Sequence, residues 1–303
     1  MKHKSLMELI AGADELARLS ERDMVKDIGA ARSDAYHLDV CLKRVGHSPR
    51  SAEACGNLGH AYLSQGMPDE ALPCFRKAVK LSPRSANAHY SLGHALYAQE
   101  KFGEAELSFR KAHELDPNRV AAIVNLGMVL NDAGKFGEAE SYLKKGVELA
   151  PNNAFAQNEL GNLFFKQKKF DAAVSHFTRA VELEPHVGML YLNLGSALRR
   201  QGKPDKAVFY LQKAIEINPK NDMAYNNLGC ALGDLKRDNE AAIAYQKSIE
   251  LGPNNPIYHK NISDTLRTLG RRDEAMKHLQ IAADLGMKGA KEQIENLNKE
   301  AAK

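Results

Sequence analysis

Residues Ala52–Ser85 read AEACGNLGHAYLSQGMPDEALPCFRKAVKLSPRS. Leu58-Gly59, Tyr62, Ala71, Phe75, Ala78 and Pro83 mark this stretch, and the marks return as Leu92-Gly93, Leu96, Ala105, Phe109, Ala112 and Pro117. The offset is 92 − 58 = 34 residues. The Leu-Gly pair recurs at Leu126-Gly127, Leu160-Gly161, Leu194-Gly195 and Leu228-Gly229, and in altered form at Ile262-Ser263. Self-similarity at a fixed period of this size is the signature of a solenoid, whose units bury their apolar faces only by stacking on neighbours.

A period of 34 with Leu-Gly, then Tyr or Leu, then Ala, Phe, Ala and Pro resembles the tetratricopeptide repeat family. Seven consecutive matches cover roughly residues 52–289. One departure is uniform: there is no Trp, and Cys55, His89, Ile123, Gln157, Tyr191, Tyr225 and His259 hold the usual Trp place. The resemblance implies an all-α, right-handed superhelical solenoid of antiparallel helix pairs. The expected organisation is an N-terminal helix plus a degenerate capping repeat over 1–51, seven repeats over 52–289, and a C-terminal capping helix over 290–303.

Composition is compatible with such an array. In a solenoid each repeat contacts only its neighbours, so 303 residues add repeats, not a second core. A hydrophobic fraction of 44%, a charged fraction of 26% and a net charge of +4 are those of an ordinary globular chain. So mild a charge does not by itself imply nucleic acid. Cys41, Cys55, Cys74 and Cys230 form no C-x-x-C pair and no metal-like spacing, which suits a reducing compartment. No apolar run approaches the roughly 20 residues of a membrane span, and Leu6-Met7-Glu8-Leu9-Ile10 is too interrupted for a secretion signal. A cytoplasmic location is the expectation.

Leu6, Leu9, Ile10, Ala13, Leu16 and Ala17 form a helical stripe over residues 5–20. From about Asp23 to Val45 the chain resembles a degenerate first repeat, with Leu38, Cys41, Leu42 and Val45 on its second helix. Each full repeat then reads as two helices. Gly59 lets a neighbouring helix approach closely, Pro68 stands where a first-turn proline is tolerated, and acidic residues such as Asp69-Glu70 open the second helix. Pro83 and its equivalents at 117, 151, 185, 219 and 253 end the second helix, because the residue before a proline is pushed out of the α region. With a cap at each end, the array reads as complete, although a fragment of a longer protein fits the sequence too.

In the family, the first helix of each repeat lines a concave binding face. The place immediately before the Leu of the Leu-Gly pair is one that faces this groove. Here it is Asn57, Ser91, Asn125, Glu159, Asn193, Asn227 and Asn261. This ladder of asparagines resembles that in the superhelix of O-linked N-acetylglucosamine transferase. A carboxamide offers donor and acceptor together, so it can pair with the backbone of an extended peptide whatever its side chains. The competing reading is repeat consensus, with each Asn bonded to water or to a neighbouring helix. Five places before the Leu stand Phe155, Met189, Met223 and Ile257 in the last four repeats. They read either as an apolar stripe for a partner or as packing against the next first helix.

A row of Lys and Arg at the turns of repeats four to seven, from Lys166 to Arg272, reads mainly as a solvated edge, with an acidic partner or nucleic acid as the lesser reading. His60 and His94 are equivalent by repeat, but two His without a third ligand make a poor metal site. No phosphate loop, dinucleotide fingerprint or acid–base pair is present. The two-carboxylate clamp of chaperone-binding repeats is unmatched at Gly56, Tyr90 and Val124. The reading is therefore a non-enzymatic scaffold without cofactor or metal. Asn57, Asn125, Asn193, Asn227 and Asn261 would hold the backbone of an extended protein or peptide partner, and Phe155, Met189, Met223 and Ile257 would take its apolar side chains. Alternatives are a substrate-presenting or regulatory arm of a glycosyltransferase-like enzyme, a helical-repeat RNA binder, which the mild charge disfavours, and self-association.

Overall fold

A computed structural model describes residues 37–301. The N-terminal stripe over 5–20 and the first part of the degenerate repeat lie outside the described residues. Helix α1 covers 37–47. Seven first helices follow as α2 (Ala52–Ser64), α4 (Ala86–Ala98), α6 (Val120–Asp132), α8 (Ala154–Lys166), α10 (Gly188–Arg200), α12 (Asp222–Asp234) and α14 (Pro256–Thr268). They alternate with second helices α3 (Pro68–Leu81), α5 (Phe102–Leu115), α7 (Phe136–Leu149), α9 (Phe170–Leu183), α11 (Pro204–Ile217), α13 (Asp238–Leu251) and α15 (Arg272–Asp284). The chain closes on α16 (Ala290–Ala301). No β-strand occurs among the described residues. The helices divide into two compact units at Lys168/Lys169, inside the fourth repeat.

Local chemistry recurs at the helix boundaries. First helices are capped by the side chains of Ser51, Ser85, Asn153, Asn221 and Asn255, each accepting a backbone N–H of the first turn. Second helices end at Leu81, Leu115, Leu149, Leu183, Ile217 and Leu251, two residues before each conserved-register proline. The residue between takes an extended backbone, as at Asp116 with φ −140° and ψ 88°. The seventh repeat has no such proline, and α15 stops instead at Gly286 with φ 87°. The turn inside each repeat carries one left-handed residue: Gly66, Glu100, Gly134, Lys168, Gly202, Lys236 and Gly270.

In repeats one, two, three, five and six the pair locks through the Leu-Gly place. A Cβ built on Gly59 would stand 2.7 Å from the Phe75 ring, and one on Gly195 would stand 2.6 Å from Leu211. The first helix thus sits directly on the bulky residue of its own second helix, which is fully buried between two small alanines, such as Ala71 and Ala78 around Phe75. Ser263 replaces the glycine in the last repeat, and its buried hydroxyl donates to Ala275 O at 2.8 Å.

In the N-terminal unit α1 lays Leu38, Cys41 and Val45 on Leu58, Ala61 and Tyr62. Leu42, grouped with them by spacing, is exposed. In the C-terminal unit α16 packs Ala290, Ile294 and Leu297 on Leu279 and Ala283, and Arg272 donates to Leu297 O.

Candidate functional site

Places five before, one before, two after and six after the repeat Leu are spaced 4, 3 and 4 residues apart, so they share one helical face. In the N-terminal unit the place one before holds Asn57, Ser91, Asn125 and Glu159. Asn57 is half-buried beside a cleft of about 310 Å³ between α2 and α4, which opens where Gly56 and Ser91 supply little side chain. There His60 Nε2 lies 2.9 Å from Ser91 Oγ. Burial, then His94, lowers the His60 pKa, so the ring is neutral near pH 7. Asn125 is only 6% exposed, and its Nδ2 donates to Ala121 O at 2.8 Å on its own helix.

In the C-terminal unit the ladder is tied from helix to helix. Asn227 Nδ2 on α12 donates to Ser196 Oγ on α10 at 2.9 Å. Asn261 Nδ2 on α14 donates to Asn226 Oδ1 on α12 at 2.9 Å and approaches Cys230 Sγ at 3.9 Å. Asn193 is half-buried on α10. Three of the five asparagines therefore spend at least one amide hydrogen inside the protein. The part of the competing reading that has them bond neighbouring helices holds for Asn227 and Asn261, and for Asn125, whose Nδ2 also donates to Tyr90 Oη on α4 at 3.5 Å.

The apolar places behave differently. Phe155 in the N-terminal unit is 43% exposed. In the C-terminal unit Met189, Met223 and Ile257 are 46%, 47% and 51% exposed. None of the four is packed away against the next helix. Met189, Met223 and Ile257 recur at one position of α10, α12 and α14, beside the tied asparagines. Each side chain of this size, about half exposed, leaves roughly 1 kcal/mol of burial ungained.

Glu159 interrupts the ladder with a carboxyl that is 7% exposed. Its Oε1 accepts from Asn158 Nδ2 at 2.8 Å and Asn162 Nδ2 at 3.1 Å. Burial pushes its pKa up and outweighs these bonds, with Asp132 adding to the rise and Lys166 opposing it. Asp132 itself joins three successive first helices, accepting from Tyr97 Oη at 2.7 Å and Lys166 Nζ at 2.7 Å.

Four of the cations at the turns sit in ion pairs. Besides Lys166, Arg199 pairs with Asp234 at 3.2 Å, Arg237 with Glu240 at 2.7 Å, and Arg271 with Glu274 at 2.6 Å. Among the described residues no group of three or more His, Cys, Asp or Glu is placed to hold a metal ion, and no helix is long and apolar enough to cross a membrane.

Sequence reasoning passed over one recurrent tie. In the usual Trp place, His89, Gln157 and His259 reach back six residues to the carbonyls of Pro83, Pro151 and Pro253 at 2.9–3.0 Å. The signal was available in the hydrogen-bonding residues that fill that slot ahead of an invariant spacing to proline.

One tetratricopeptide repeat model matches residues 57–120 and 192–256, and a second matches 118–184 and 152–220, so coverage is unbroken from 57 to 256. The chain belongs to the tetratricopeptide repeat family, whose members are generally non-enzymatic protein-interaction scaffolds. Among solved structures it is similar to the Cut9–Hcn1 hetero-tetramer of the APC/C, at 20% identity and TM-score 0.71, over 77% of this chain and 46% of that one. It is also similar to PilF of Pseudomonas aeruginosa, at 22% identity and TM-score 0.59, over 68% and 94% of the two chains. Yeast Tom70 matches at 18% identity and TM-score 0.59, over 89% and 60%. At these identities the likeness is one of fold alone. No curated protein matches the chain.

Proposed function

We propose that this protein is an interaction scaffold that holds an extended segment of a protein partner along its first-helix face. One observation carries the reading: Met189, Met223 and Ile257 stand about half exposed at equivalent places of three successive first helices, next to a row of carboxamides. Exposed apolar side chains in register mark an interaction surface, and Met adapts to varied ligand shapes. Carboxamide groups beside them suit a ligand whose backbone N–H and C=O groups are unpaired. Asn57, Asn125 and Phe155 hold the equivalent places in the N-terminal unit, and Asn193, Asn227 and Asn261 hold them in the C-terminal unit; the family uses these places to line its groove.

The ties within the ladder decide the choice of variant. Replacing Asn227 and Asn261 by alanine removes bonds between repeats, so lost binding would be confounded with a loosened array. Met189→Ser, Met223→Ser and Ile257→Ser remove side chains that are about half exposed and break none of these bonds. The test is quantitative affinity capture from lysate with the wild type and this triple variant, after matching thermal unfolding curves. A partner captured by the wild type and depleted at least several-fold in the variant supports the scaffold reading. Equal recovery of every partner removes it.

A further inference from the structure

Within the C-terminal unit a cleft of about 550 Å³ lies between the second helices α13 and α15, over α14. No asparagine of the ladder and no member of the apolar row lines it. Its floor is apolar: Ala242 and Ile243 from α13, and the buried Ile262 and Leu266 from α14. Small-molecule pockets run to about 300–1,000 Å³ and are mostly apolar, with a few placed polar groups.

Two residues account for the opening. Four repeats earlier the same places are filled: Glu106 accepts from Lys135 Nζ at 2.9 Å, and Arg110 donates to Glu138 at 2.6 Å. Those two ties join α5 to the turn before α7 and to α7 itself. The equivalents in the C-terminal unit are Ala242 for Glu106 and Gln246 for Arg110, while the partner places keep their charges as Arg271 and Glu274. With neither old partner on α13, Arg271 and Glu274 close on each other at 2.6 Å. The space that two long side chains would take stays open. Side chains lining such space forfeit contacts, and a ligand seated there restores them.

The walls define the ligand. Arg271 pairs with Glu274, and Lys247 with Glu250 at 3.4 Å, so both signs of charge are already compensated. The remaining wall group is His278. A carbonyl only accepts, so His259 Nε2, 2.9 Å from Pro253 O, carries a hydrogen. With both rings neutral, His259 Nδ1 is bare and takes the Nδ1–H of His278 at 3.1 Å. His278 Nε2, across its ring from that bond, is then an acceptor with no partner among the described residues. Burial, then His259, lowers the His278 pKa against the opposing pull of Glu274, so the ring is neutral near pH 7.

We infer that this cleft binds a small uncharged molecule with an apolar body and one O–H or N–H donor. The body rests on Ile243, Ile262 and Leu266, and the donor meets His278 Nε2. A charged ligand loses its hydration and finds no free counter-charge, and one without a donor leaves Nε2 unpaired. The site is independent of the first-helix face and adds a second kind of ligand to the scaffold.

The test reads the methyl NMR spectrum of the full chain, labelled at Ile and Leu, with four probes: 2-naphthol, 2-methoxynaphthalene, 2-naphthoate and N-acetyltyrosinamide. 2-Naphthol is expected to shift the methyls of Ile243, Ile262 and Leu266 and to bind about fivefold more tightly than the other three. His278→Phe keeps a ring without the acceptor. It should weaken 2-naphthol by that same factor and leave 2-methoxynaphthalene unchanged, whereas a loosened fold would weaken both. Ala242→Glu combined with Gln246→Arg restores the filled pattern and should abolish the shifts without lowering the thermal midpoint. Failure of millimolar 2-naphthol to shift these methyls, equal binding of the methyl ether or the naphthoate, or shifts retained in the double variant overturns the inference. Tighter binding of N-acetyltyrosinamide overturns it too, by giving the cleft to a partner's side chain.

Discussion

Glu159 is the residue whose chemistry departs furthest from its repeat equivalents, because it puts a carboxyl where five other repeats put a carboxamide. Its folded pKa is raised by burial, so the folded protein holds that proton more tightly than the unfolded chain does. The sign follows. Below the unfolded value of about 4.3 both states are protonated and the burial costs nothing in charge. As pH rises above that value, ionisation is easier in the unfolded chain, and stability is lost. Glu159→Gln keeps an oxygen for Asn158 and Asn162 without the charge. It should raise the thermal midpoint at pH 7, with the gain vanishing near pH 4; a gain of equal size at both pH values would contradict this. A second residue-scale prediction concerns Gly127, where a Cβ would stand 2.6 Å from Leu143 Cγ. Gly127→Ala gains up to about 1 kcal/mol of helix propensity and incurs about 1–3 kcal/mol of overpacking. The expected net loss is up to about 2 kcal/mol in chemical denaturation, and a stabilised variant would refute the close contact.

At the scale of the element, the seven intra-repeat turns share one left-handed residue, yet only four of them are glycine. Glu100, Lys168 and Lys236 hold φ near +60° with a side chain attached. The left-handed region costs a non-glycine residue about 1–2 kcal/mol, whereas glycine enters it freely. Lys236→Gly should therefore stabilise the array by up to about 1 kcal/mol, and Gly134→Ala should destabilise it by a similar amount. Opposite signs in urea titrations would mean that the turns relax. Glycine occurs at this place in repeats one, three, five and seven, so the turn was legible at a spacing of two repeats. The helix pairs were legible because Leu-Gly, Ala, Phe, Ala and Pro each answer a fixed steric demand. Residue spacing told which places share a face. It could not tell where a carboxamide points: Asn125 donates to Ala121 on its own helix and to Tyr90 35 positions away, while Asn227 and Asn261 reach residues 31 and 35 positions away. Such partners depend on what the preceding repeat offers, and a single repeat read alone does not contain that information. Exposure of Phe155, Met189, Met223 and Ile257 escaped the sequence for the same reason.

At the scale of the molecule, stability in a repeat array is close to a sum of repeat and nearest-neighbour terms. Surface changes in one repeat therefore leave the others standing, which makes the exposed row a clean handle on function. Asn227 and Asn261 tie α12 to α10 and α14 to α12. The apolar row keeps about half of each side chain exposed, and that is the reason for reading it as a contact surface. The most direct measurement is photo-crosslinking with a benzophenone amino acid placed at Met223 or, as a control, at Leu107, in the full chain exposed to lysate. Mass spectrometry of the adducts reads which segment was in contact. The expected result is a discrete crosslinked partner segment at position 223, lost on adding Met189→Ser and Ile257→Ser, with none at position 107. Crosslinks at 107 but not at 223, or at 223 with no dependence on its two neighbours in the row, would contradict binding along the first-helix face.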